Sequence, residues 1–119
     1  LPPLKLNKRL NRAAQYNADD MAVKDYFNHD SPAGTGPGDR AKAFNYQYRM
    51  VLENLAGGAR EPELTVEQWK ASKQGHREAM IDPRVTEIGV GYRYMPNDSG
   101  RTRLTHYWAI TMGQPLIRH

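Results

Sequence analysis

A chain of 119 residues, 39% of them hydrophobic and 25% charged, supports one core of ordinary size and leaves little for a second. Its apolar runs are a few residues long against the roughly 20 that cross a bilayer, so no transmembrane segment is expected. The absence of cysteine excludes disulfides, thiolate catalysis and cysteine-ligated zinc; the formal charge of +4, from 17 Lys and Arg against 13 Asp and Glu, inclines the surface weakly towards anionic partners, without the basic blocks of a nucleic-acid binder.

The first predicted element is a long amphipathic helix over about residues 5–27, because Leu6, Leu10, Ala13, Ala14, Asn17 and Met21 recur at intervals of three and four. Lys5, Lys8, Arg9 and Arg12 lie on this first element, and the bland reading of them is a solvated surface. The stretch SPAGTGPGD ends the helix as a Gly- and Pro-rich loop, leaving His29 at the helix exit and Asp39 as the expected N-cap of a short helix reaching about Phe44. RMVLENL, residues 49–55, reads as a short extended run closed by Gly57 and Gly58. Glu53 inside that run requires a partner.

Further on, Thr65-Val66-Glu67-Gln68 has the form of a capping box and opens a helix carrying Trp69, which stops before Gly75. His76 then opens a second short helix, closed by Pro83. TEIGVGYRY places Ile88, Val90, Tyr92 and Tyr94 on one face of a strand, and LTHYWAITM does the same for Leu104, His106, Trp108, Ile110 and Met112. PNDSG between them is a turn, so the pair is expected as an antiparallel hairpin. Trp69 and Trp108 are core candidates, His106 a packed or half-exposed sheet residue, and Glu87 a structural cap or a bridge to Arg40. Helices lead and strands close, which predicts an α+β fold in a single domain spanning residues 1–119.

His29, Glu53 and His76 each fall at the end of a different element, where functional groups tend to be exposed. On spacing alone a histidine there can fill a core gap, cap a neighbour, bind a metal or move a proton. The zinc motif HExxH, the nucleophile elbow G-x-S-x-G and a phosphate-binding Gly-rich loop are all absent. Ser31 and Ser72 lack an identifiable third group for nucleophilic catalysis.

The stretches YFNHDSPAG, the DR pair at 39–40, ENLAGG at 53–58, WKASKQGHREAMIDPRVTEIGVGY at 69–92 and YWAITMG at 107–113 occur in the order seen in the CAP superfamily (cysteine-rich secretory proteins, antigen 5 and pathogenesis-related proteins), and the chain resembles its compact bacterial SCP-like form. The resemblance implies a three-layer α-β-α sandwich around a small antiparallel sheet. It also implies a secreted or cell-envelope protein, its signal peptide removed. The family's cleft of two histidines and two acids maps onto His29, His76 and Glu53; Ser72 stands where eukaryotic members carry the second acid, and the role does not pass to Glu67, which lies off that helix face.

From this set the leading expectation is a monomeric binding module for a lipid, sterol, peptide or cell-wall ligand. His29 and His76 would be able to hold Zn²⁺ or another divalent metal, not required for folding. The alternative is a metal-assisted, protease-like hydrolase in which Glu53 activates water, and a third reading is a structural envelope protein with a vestigial cleft. Whether the chain is an enzyme stays open at this stage, although a single carboxylate is a poor basis for a general acid–base pair.

Overall fold

The computed structural model describes residues 4–58, 84–96, 98 and 104–116. In chain order these form strand β1 (Lys5–Leu6), helix α1 (Lys8–Lys24), helix α2 (Pro37–Ala43), and strands β2 (Tyr48–Gly57), β3 (Glu87–Tyr94) and β4 (His106–Pro115). The sheet order is β1-β3-β4-β2. The chain is an α+β sandwich, with β3 and β4 antiparallel as expected and β2 antiparallel to β4 on its other side. The sheet is mixed rather than wholly antiparallel, because β1 runs parallel to β3 with Lys5 opposite Glu87 and Leu6 opposite Ile88.

That short strand corrects the first predicted element. Helix α1 begins at Lys8, where the Asn7 side chain accepts from the amides of Arg9 and Leu10, and Leu6 lies before the cap, 74% exposed. The helix ends at Lys24 with Asp25 in the left-handed region at φ 60°, short of the expected Phe27. Its buried stripe of Leu10, Ala13, Ala14, Asn17 and Met21 matches the periodicity. Asp39 does not cap α2 as expected. Gly36 is the cap residue, and Asp39 sits inside the first turn, accepting from the Gly36 amide at 2.9 Å.

Helix α1 lies directly on β3. A Cβ on Gly89 would collide with the Leu10 backbone, and one on Gly91 with that of Ala14 and Gln15, so only glycine permits this approach. Polar side chains of the helix complete the strand's outer edge: Asn11 accepts from the Val90 amide at 3.0 Å, while Gln15 accepts from the Tyr92 amide at 3.1 Å and donates to its carbonyl at 2.7 Å. Those are backbone groups that a neighbouring strand would otherwise satisfy.

On the helix side of the sheet, Leu55, Tyr107 and Ala109 pack with Ala14, Met21 and Ala22, and a second cluster joins Leu10, Ala41 and Tyr46 to Tyr48 and Val51. Trp108 is buried with Ala56 on the opposite face, beside Tyr92 and Ile110. There His106 stacks between Tyr92 and Tyr94, with ring centroids 5.9 and 5.2 Å away, and shares a 2.6 Å hydrogen bond with the Tyr92 hydroxyl. The helices expected around Trp69 and His76 lie outside the described residues.

Candidate functional site

Strand β2 alternates its side chains, so Val51, Glu53 and Leu55 share the face that α1 and α2 cover. This puts a carboxylate between two apolar clusters, with Thr111 of β4 opposite it. The Glu53 side chain is 1% exposed. Burial on that scale requires a compensating charge and enough donors for the lone pairs, and three elements supply them. Arg40 of α2 donates to Oε2 at 2.8 Å, Asn17 of α1 donates to the same oxygen at 3.0 Å, and the His29 Nδ1 lies 2.9 Å from Oε1.

Arg40 is the hub of the arrangement. Its buried guanidinium reaches Glu53, the His29 carbonyl at 2.8 Å and the Thr35 carbonyl at 3.1 Å, which uses the planar fork of donors that lysine lacks. The loop between α1 and α2 is thereby tied to the strand carrying the carboxylate. Within that loop Ser31 and Thr35 close on each other, with a 2.7 Å contact between hydroxyls and a 2.9 Å bond from the Ser31 amide to the Thr35 carbonyl. Ser31 is thus a loop staple, and Gly34 takes the left-handed turn at φ 87°.

His29 keeps 45% of its side chain exposed while its Nδ1 is engaged by Glu53. The bond to Glu53 raises its pKa above the usual 6.5; burial and the Arg40 charge pull the other way, and the Glu53 and Asp30 charges add to the rise. With Nδ1 taken, any contact from this ring to a metal or ligand runs through Nε2. A carboxylate behind a histidine is the arrangement that fixes ring orientation in metal sites. Both Glu53 oxygens are committed to protein groups, which makes it a positioning residue and leaves it badly placed to take a proton from water.

Of the three predicted cleft residues, the structure brings His29 and Glu53 together. His76, Ser72, Glu67 and Trp69 lie outside the described residues. Among the described residues no three His, Asp or Glu side chains converge as a metal site. Glu87 does not bridge to Arg40: it accepts from the Tyr46 hydroxyl at 2.7 Å and from Asn7 Nδ2 at 3.3 Å, at the far end of the same sheet face. Asn17 is a site residue that sequence reasoning left on the apolar stripe, and Arg40 one for which it offered only a bridge from Glu87. A polar residue on the apolar stripe of α1 was the signal for Asn17.

The described residues thus form an α+β sandwich in which a buried carboxylate orients a half-exposed histidine. The chain belongs to the CAP family, described as the cysteine-rich secretory protein family, whose profile matches residues 1–112. It is 40% identical over 92 residues to the uncharacterized protein YkwD of Bacillus subtilis and 31% identical over 75 residues to the uncharacterized membrane protein YlbC of the same organism, covering 77% and 63% of this chain. It spans only 35% and 21% of the lengths of those relatives. An extracellular SCP-domain protein of Bacillus anthracis superposes with a TM-score of 0.80 at 24% identity, over 96% of this chain and 34% of that one. An outer surface protein of Borrelia burgdorferi gives 0.83 at 22% identity, over 97% and 80% respectively. Among the described residues no helix is long and apolar enough to cross a membrane.

Proposed function

We propose that this is a secreted or cell-envelope binding module that takes a lipid, sterol, peptide or cell-wall component at the cleft around His29, Glu53 and His76, and that His29 and His76 jointly hold a divalent metal such as Zn²⁺. The observation that carries the reading is the clamp on Glu53. A buried carboxylate and a buried guanidinium are spent on fixing one half-exposed imidazole, which is an expensive way to build a loop and an effective way to orient a ligand group. The extracellular and outer-surface character of the two structural neighbours supports the proposed location. Binding is favoured over hydrolysis because the carboxylate nearest the histidine is engaged by donors at both oxygens, which leaves Glu53 poorly placed to act as a general base.

Calorimetric titration with zinc tests the metal part. Weak binding is expected, lost in the His29→Ala/His76→Ala protein and weakened roughly 10- to 100-fold in Glu53→Gln, where the ring loses its orienting charge. Unchanged zinc binding in the double variant would overturn the shared site. A binding screen with lipids and cell-wall polymers on the same proteins separates cleft ligands from surface ones.

A further inference from the structure

We propose that β1 and the first turns of α1 form a docking surface for anionic lipid bilayers, with Lys5, Lys8, Arg9 and Arg12 meeting the headgroups and Leu6 entering the interface. All five residues are exposed. On the helix, Lys8, Arg9 and Arg12 fall within about 100° of arc, opposite the stripe buried on the sheet. None of the four cationic side chains has a hydrogen-bond or ion-pair partner among the described residues. Charges further along the same helix are neutralised, Asp20 by Lys24 at 3.1 Å and Asp19 by Arg93 at 3.3 Å. The basic residues of the helix without an ion-pair partner among the described residues are therefore gathered at its start, Lys24 at the other end being paired with Asp20.

Helix stability does not account for the placement. The first turn of α1 holds no acidic residue, and cations there oppose the helix macrodipole. Glu87 shares a neighbouring hollow with Arg9 but is already engaged by Tyr46 and Asn7. Leu6 decides between a dissolved polyanion and a bilayer. It is 74% exposed and borders a hollow of about 380 Å³ whose other lining residues are Asn7, Lys8, Arg9 and Arg12. A soluble polyphosphate would satisfy the cations and leave Leu6 in water, whereas the headgroup boundary of a bilayer accepts both. Four cations and one leucine give reversible adsorption and no permanent anchor.

Co-sedimentation with vesicles tests this, using phosphatidylcholine alone and phosphatidylcholine mixed with phosphatidylglycerol. The wild-type chain is expected to partition onto the anionic vesicles at low salt, to leave them as salt rises, and to ignore the neutral ones. Arg9→Gln/Arg12→Gln should lower the partition coefficient on the order of tenfold or more, while Lys42→Gln/Arg49→Gln, which removes the same charge elsewhere, should change it by no more than about twofold. Leu6→Ser should weaken vesicle binding by roughly tenfold and leave retention on immobilised inorganic polyphosphate as it was. These positions are exposed, and unchanged thermal midpoints would verify folding. Equal losses in the two double variants would reduce the effect to net charge, and wild-type vesicle binding by Leu6→Ser would make the face a polyanion site; either result, or no partition at low salt, overturns the proposal.

Discussion

Two glutamates stand on the same face of the sheet, each opposite a residue of β4: Glu53 across from Thr111 and Glu87 across from Gly113. Their surroundings differ. Glu53 is sealed between α1 and α2 and is met by a guanidinium, an amide and an imidazole. Glu87 lies half-buried at the open end and makes do with a phenol and an amide, both neutral. Where water is shut out, neutral donors do not compensate a carboxylate and a full positive charge is needed; where water reaches in, it shares the task. A residue type therefore costs the fold very different amounts along one sheet face.

The largest break in this comparison should come from Arg40→Ala. It strands a buried carboxylate and is expected to lower stability by about 3–5 kcal/mol, read as a fall in the urea midpoint. A loss below about 1 kcal/mol would mean that water reaches Glu53, and the contrast between the two glutamates would collapse. Next, Glu53→Gln and Glu87→Gln form a matched pair. The first leaves Arg40 buried without its counter-charge and should cost about 2–3 kcal/mol, the second no more than about 1 kcal/mol, since its partners are neutral. Tyr46→Phe removes one donor from Glu87 and should cost about 1 kcal/mol. It should also abolish the phenol titration that burial and the Glu87 bond push upward.

The smallest effect belongs to His29. Its folded pKa is raised, so its contribution is full below the unfolded value of about 6.5 and is lost as pH climbs through the raised folded value. Because the ring is nearly half exposed, the effect should stay under about 1 kcal/mol. Thermal unfolding of wild-type and His29→Ala protein in chelator, from mildly acidic to mildly alkaline buffer, should show a gap that closes with rising pH. A gap that widens instead would remove the Glu53 bond as its cause.

Much of the frame was legible locally. The stripe from Leu10 to Met21, the alternation in β3 and β4 and the charge inside RMVLENL are short-range patterns, and each corresponds to an element or a buried group in the fold. Errors arose where a residue's fate depends on a distant partner. Leu6 fits the helical stripe, yet its neighbours' amides bond the backbone at the start of β3, Lys5 to Thr86 just before the strand at 3.0 Å and Asn7 to Ile88 within it at 2.9 Å, so the chain stays extended there. Glu87 was expected as a cap or as a bridge to Arg40, because only the seating of α2 on β2 shows that Arg40 meets Glu53 instead. Asp39 looked like a cap since the Gly36 backbone that it serves carries no side-chain signal.

The glycine pair that lets α1 rest on β3 has a consequence in time. The helix residues beside it are far from their strand partners in the chain, 79 positions between Asn11 and Val90 and 77 between Gln15 and Tyr92. During synthesis α1 emerges well before β3, and although its stripe can meet Ala41, Tyr46 and Leu55 from the intervening segments, its seat on the glycine pair forms only when β3 arrives. Completion of this packing is thus expected late and non-local, since docking the helix on β3 closes a loop almost as long as the one between Lys5 and its sheet partner Glu87.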